Sequence, residues 1–121
     1  MITLVDAISR IRETEYRSNN WDEPPAFTED GVNEIKALLE FDRCFKIAEQ
    51  YDHFDGVLLA DTPWVNDLAV GKRYAGDVFF DKKERFPDGS YIIIGTVKQI
   101  EQLYSEIYLV RTNRSTYLVI K

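Results

Sequence analysis

Residues 78–94 read V-F-F-D-K-K-E-R-F-P-D-G-S-Y-I-I-I. Two apolar runs flank a segment of turn chemistry. Proline fixes φ at the first central position of a turn, aspartate bonds to nearby backbone, and glycine supplies positive φ. This predicts a turn over Phe86, Pro87, Asp88 and Gly89 that joins two strands, with Phe86 capping one end of the core and Lys82, Lys83 and Arg85 at its rim.

The reading extends in both directions. Residues 57–60 form a short apolar run. Residues 74–80 are a strand in which Gly76 would mark a bulge, and residues 91–100 are a third with Gly95 inside it. Residues 107–112 and 116–120 complete the set, joined by Asn113, Arg114 and Ser115 as a hairpin loop. Five closely spaced strands predict a mostly antiparallel, small-barrel-like sheet.

Upstream of Gly56 the periodicity is helical. Over residues 3–17, Leu4, Ala7, Ile8 and Ile11 share one face, while Arg10, Arg12, Glu13 and Glu15 point to water. Thr3 with Asp6 approximates a capping box. Ser18 to Asn20 and the Pro24-Pro25 pair end this helix, and Trp21 between them is either a core anchor or an exposed hot spot. A second helix starts at Thr28 or Asp30, with Val32, Ile35, Leu38 and Leu39 as its stripe. Past Glu40, Phe41, Cys44, Phe45, Ala48 and Tyr51 continue a helical face, yet residues 43–49 also alternate as a strand would. The expectation is one α+β domain over residues 1–121: two N-terminal helices, in a mainly helical acidic part (1–56), packed on the five-stranded sheet (57–121).

At 121 residues the chain has one domain's length, 45% hydrophobic and 30% charged. No apolar run approaches the roughly 20 residues of a membrane helix, and the N-terminus has no secretory pattern. The single cysteine, Cys44, excludes an internal disulfide and reads as a small buried hydrophobe in a reducing, cytoplasmic setting. Charge divides unevenly: residues 1–56 carry 13 acidic and 6 basic side chains, residues 57–121 carry 8 and 9. The overall balance of −6 argues against a phosphate-backbone footprint. An acidic face suits a basic protein partner, or serves only solubility.

Chemistry-bearing motifs are sparse. The one histidine, His53, has Asp52 and Asp55 nearby, without the spacing of a metal motif. No phosphate loop, dinucleotide fingerprint or nucleophile elbow occurs. The sequence therefore reads as non-catalytic, without cofactor or metal. Trp64, Tyr91 and Tyr108 could stack single-stranded nucleic acid if exposed beside Arg85 or Arg111, with Arg73 and Arg114 in support.

The second half, with G-D-V-F-F, then R-F-P-D-G-S-Y-I-I-I, then V-R-T-N-R-S-T-Y-L-V-I, resembles a family of small uncharacterised bacterial, phage and prophage proteins. Their pattern is an R-F-x-x-G turn and a terminal T-R-N-S/T-x-Y hairpin. Here that hairpin reads Thr112-Asn113-Arg114-Ser115-Thr116-Tyr117, with Asn and Arg in the opposite order. The resemblance implies no catalytic residues, a mobile-element context, and binding as the mode of action. The concrete expectation is an inhibitor of a host defence complex that acts by steric or electrostatic blocking. Its contacts would be Glu13, Glu15, Trp21, Asp22, Glu23, Glu29, Asp30, Glu34 and Glu40. An immunity protein that neutralises a toxin would use the same acidic surface. Exposed edge strands would permit a homodimer.

Overall fold

The computed structural model describes residues 3–17, 22, 26–51, 54–60 and 68–121. In chain order these form α1 (Leu4–Glu15), β1 (Tyr16–Arg17), β2 (Ala26–Phe27), α2 (Glu29–Phe41), α3 (Arg43–Tyr51), β3 (Gly56–Leu59), β4 (Tyr74–Phe79), β5 (Ser90–Ile94), β6 (Gln99–Tyr104), β7 (Ile107–Arg111) and β8 (Thr116–Ile120). The class is α+β, as expected.

The helix starts follow from capping. The Thr3 side chain accepts from the Asp6 N–H, and the Thr28 side chain accepts from Gly31. Two further N–H groups at the start of α1, those of Leu4 and Val5, donate to the Glu106 carboxylate at 3.0 and 3.1 Å. Residues 43–49 are helical, which decides between the two expected readings. The helix does not run on from α2, however. The Asp42 carboxylate accepts from the Phe45 N–H at 2.8 Å and starts α3 as a new helix. That break takes Phe41 off the core face and leaves it 86% exposed.

The main sheet has six strands in the order β5-β4-β3-β8-β7-β6, and β1-β2 form a separate pair. The expected third strand divides at Gly95 into β5 and β6, which lie at opposite edges. β3 pairs in parallel with β8, and the other neighbours are antiparallel. V-L-L in β3 is buried on both faces, as a central strand with a parallel neighbour requires.

The sheet is not a closed barrel, because β5 and β6 do not pair. It must nevertheless curl. Five strand spacings of about 4.8 Å would part flat edges by about 24 Å, while the run from Ile94 to Gln99 reaches at most about 17 Å. The linking segment is pinned on the way: Gly71 donates to the Val97 carbonyl, Val97 to Lys72, and Lys98 to Arg111.

Curling gives the sheet two buried faces. On one, Val57, Leu59, Phe79, Leu109, Leu118 and Ile120 meet Leu4, Ile8, Ile35, Leu39 and Phe45 of the helices. On the other, Leu58, Val78, Val110, Tyr117 and Val119 pack with Ile92, Ile94 and Val97.

Two local expectations change. Gly76 marks no bulge, since it sits in register opposite Ile92. It marks a close approach: a Cβ there would lie 2.4 Å from the Leu59 carbonyl oxygen. The sheet's irregularity falls between Gln102 and Tyr104 instead. Neighbouring residues of a regular strand face opposite sides, as Phe79 and Phe80 would, but Phe80 has φ +55°. Both rings consequently pack with the helix-side cluster.

Candidate functional surfaces

The β4–β5 loop is folded around Asp81. Its carboxylate accepts the N–H groups of Lys83 (3.3 Å), Arg85 (2.9 Å) and Phe86 (3.2 Å). Burial pushes this carboxyl up, but the Arg85 and Lys83 hydrogen bonds outweigh burial and hold it below the usual carboxylate range. Asp88 accepts the Phe80 N–H at 2.8 Å and pairs with Lys36 at 3.0 Å, tying the neck of the loop to α2. The turn itself lies one residue later than expected. Ser90 donates to the Pro87 carbonyl, so Pro87 opens the turn and Gly89, at φ +89°, takes its third position. Phe86 does not cap the core. It is 38% exposed, with the Arg85 guanidinium 5.4 Å from its ring centre.

Beside this loop lies a groove of about 330 Å³. Arg85 and Phe86 form one wall, β5 and the Gly95–Lys98 link a second, and the β7–β8 hairpin loop a third. The hairpin loop is locked by Thr112: its hydroxyl accepts from the Arg114 and Ser115 N–H groups and donates to the Ser115 carbonyl. Tyr117 Oη, at the groove floor, accepts from Arg85 at 3.3 Å.

A second polar feature is enclosed. Asp77, on the helix-facing side of β4, is fully buried and meets Arg12 of α1 at 2.9 Å. Arg12 was expected in water. It lies instead over the rings of Tyr16 and Phe27, 4.5 and 4.7 Å from their centres. Burial outweighs the attraction of Arg12 and pushes the Asp77 carboxyl up to about 6. Burial, and then the Asp77 charge, push the Tyr16 hydroxyl up to about 12.

The expected partner contacts divide into three groups. Glu13, Asp22, Glu29, Asp30, Glu34 and Glu40 are exposed. Glu15 is not a free contact, because its carboxylate accepts the Thr28 hydroxyl and its carbonyl the Thr28 N–H. Trp21 and Glu23 lie outside the described residues. Glu29, Asp30, Glu34, Glu40 and Phe41 all sit on the outward side of α2, where no basic side chain stands; Lys36 turns inward to Asp88. Phe41 was read as the first residue of a continued helical face, and the signal against that reading was Asp42, a strong N-cap type immediately after it.

Asp52, His53 and Trp64 also lie outside the described residues. Asp55 serves the fold: its carboxylate accepts the Thr116 N–H at 2.8 Å and sits 3.7 Å from Lys83 Nζ. Among the described residues no group of three potential metal ligands occurs, and no helix is long and apolar enough to cross a membrane. Of the tyrosines weighed for stacking, Tyr91 is 39% exposed and Tyr108 is half-buried.

The chain is 42% identical over 67 residues to a protein of Enterobacteria phage T4, described as an uncharacterized 12.8 kDa protein in the cd-pseT intergenic region. The match covers 55% of this chain and 56% of that protein, so it spans about half of each. It supports the resemblance to small phage proteins. No family model matches, and no solved structure matches.

Proposed function

We propose that the protein binds another protein through the outer side of α2. Phe41 acts as the apolar anchor, and Glu29, Asp30, Glu34 and Glu40 form an acidic rim that meets a basic surface. The observation that carries this reading is Phe41, 86% exposed at the end of a helix whose outward side carries four carboxylates and no basic side chain. A phenylalanine left in water forgoes about 2–3 kcal/mol of burial. An aromatic anchor within a polar rim is the usual anatomy of a binding hot spot. Glu13 and Asp22 are further exposed acids.

The similarity to a phage protein favours a mobile-element setting. There, an acidic surface that covers a nucleic-acid-binding site would block a host defence complex sterically and by charge. The test is capture of partners by the full chain at low and moderate salt, followed by affinity measurement with two variants. Phe41→Ser should weaken a specific complex about tenfold or more. Reversing Glu29, Asp30 and Glu34 to lysine should weaken it and flatten its salt dependence. A partner that binds both folded variants as tightly as the parent would sink the proposal.

A further inference from the structure

Beyond the α2 surface, the geometry points to a second binding site: the groove between the β4–β5 loop, β5 and the β7–β8 hairpin receives a small phosphorylated ligand of mononucleotide size. Three cations from three separate segments, Arg85, Lys98 and Arg114, line it, and no carboxylate of the described residues does. That is unusual in a chain of net charge −6. A concave site lined by one sign of charge focuses its field and concentrates counter-ions.

The cations differ in availability. One guanidinium nitrogen of Arg85 is engaged by Asp81 and by Tyr117 Oη, at 3.5 and 3.3 Å. Those contacts aim the guanidinium while leaving donors over. Lys98 and Arg114 are exposed and have no carboxylate partner among the described residues. Both are free to take phosphate oxygens, Arg114 in a two-point fashion.

The walls are fixed before any ligand arrives. Asp81 holds one loop through three backbone N–H groups, and Thr112 holds the other. Between them stand Phe86 and Ile93, 38% and 58% exposed. An apolar edge beside a cluster of cations suits a ligand with a phosphate at one end and a flat ring at the other. The volume, about 330 Å³, lies at the small end of ligand sites. It matches one nucleotide rather than a strand, and the acidic remainder of the surface disfavours a longer phosphate backbone.

The test is titration of the ¹⁵N-labelled full chain with inorganic phosphate, AMP, UMP and a single-stranded oligonucleotide at low salt. Saturable shifts at the amides of residues 93–96 and 112–115 with AMP or UMP, stronger than with phosphate, are expected. The double variant Lys98→Ala, Arg114→Ala removes exposed side chains and should keep the parent spectrum while weakening nucleotide binding about tenfold or more. No saturable shift with any mononucleotide, or shifts indifferent to the double variant, would overturn the proposal. So would affinity that appears only with the oligonucleotide, which would assign the groove to nucleic acid. These outcomes do not involve α2, so they stand apart from the protein-binding test.

Discussion

Arg12 Nη1 and Asp77 Oδ2 lie 2.9 Å apart across the seam between α1 and β4, with the arginine side chain 10% exposed and the aspartate fully buried. Their other polar atoms are poorly served: Arg12 Nε and Nη2 and Asp77 Oδ1 have no hydrogen-bond partner among the described residues. A buried pair with unmet donors and acceptors recovers little of its desolvation cost, whereas losing one member strands a charge. Arg12→Met alone should therefore destabilise by about 3–5 kcal/mol. Arg12→Met with Asp77→Leu should be as stable as the parent or more so, since methionine can keep the contact with Tyr16 and Phe27. Urea unfolding of the four proteins of the cycle checks this; a double variant less stable than either single one would show that the pair stabilises the fold.

The same pair sets a pH signature. Asp77 has its carboxyl raised from 3.8 to about 6 by burial. The folded state thus holds this proton more tightly than the unfolded chain. Its contribution is fully present below pH 3.8 and is lost as the pH rises through about 6. The change is on the order of 3 kcal/mol. Asp77→Asn keeps the neutral form at every pH. Unfolding free energies of parent and variant should diverge in the variant's favour between pH 4 and 7. A difference that stays constant over that window would rule the assignment out.

Much of the fold was legible because it rests on local chemistry. Thr3 caps α1 as its sequence position indicates, Thr28 is one of the two caps expected for α2, and the β7–β8 hairpin stands where its turn residues place it. What was not legible depends on distant partners. Arg12 falls on the polar side of a helical wheel, and only the inward position of Asp77 explains its burial. The one available signal was Asp77 itself, an acid alternating with Ala75 and Phe79 on a strand face. The split at Gly95 was hidden because the chain stays extended while passing from one sheet edge to the other. Arg85 and Arg114 were visible as candidate ligand contacts, but their meeting with Lys98 around one groove needed the curl of the sheet.

Gly76 tests the close approach of β3 and β4. A Cβ at this position would meet the Leu59 carbonyl oxygen at 2.4 Å and Leu58 Cγ at 2.9 Å, inside the β3–β4 seam. Neither neighbour is free to yield. Gly76→Ala should cost about 3 kcal/mol or more, in the range of overpacked cores. Gly71→Ala is the control: its φ is +90° and nothing lies within 4 Å of the added carbon. Only backbone strain opposes it, about 1–2 kcal/mol. Thermal unfolding should rank the two in that order, and equal losses would mean that β3 and β4 do not approach so closely.

Glu106 offers the last test, because it joins the β6–β7 turn to the start of α1. Its carboxylate takes the Leu4 and Val5 N–H groups, 102 and 101 residues away, while Thr3 takes that of Asp6. Three of the four donors that a helix start leaves unmatched are satisfied in this way. A carboxylate there also faces the positive end of the helix dipole. Glu106→Ala should cost about 1–2 kcal/mol, and Glu106→Gln less, since the amide oxygen still accepts one hydrogen bond. Thr3→Ala should cost about 1 kcal/mol. Amide exchange can localise the effect. Protection should fall first at Ala7 and Ile8 in the Glu106 variant, while the centre of the β3–β8 pairing keeps its protection. Uniform loss across the sheet would mean that Glu106 supports the whole fold rather than the docking of α1.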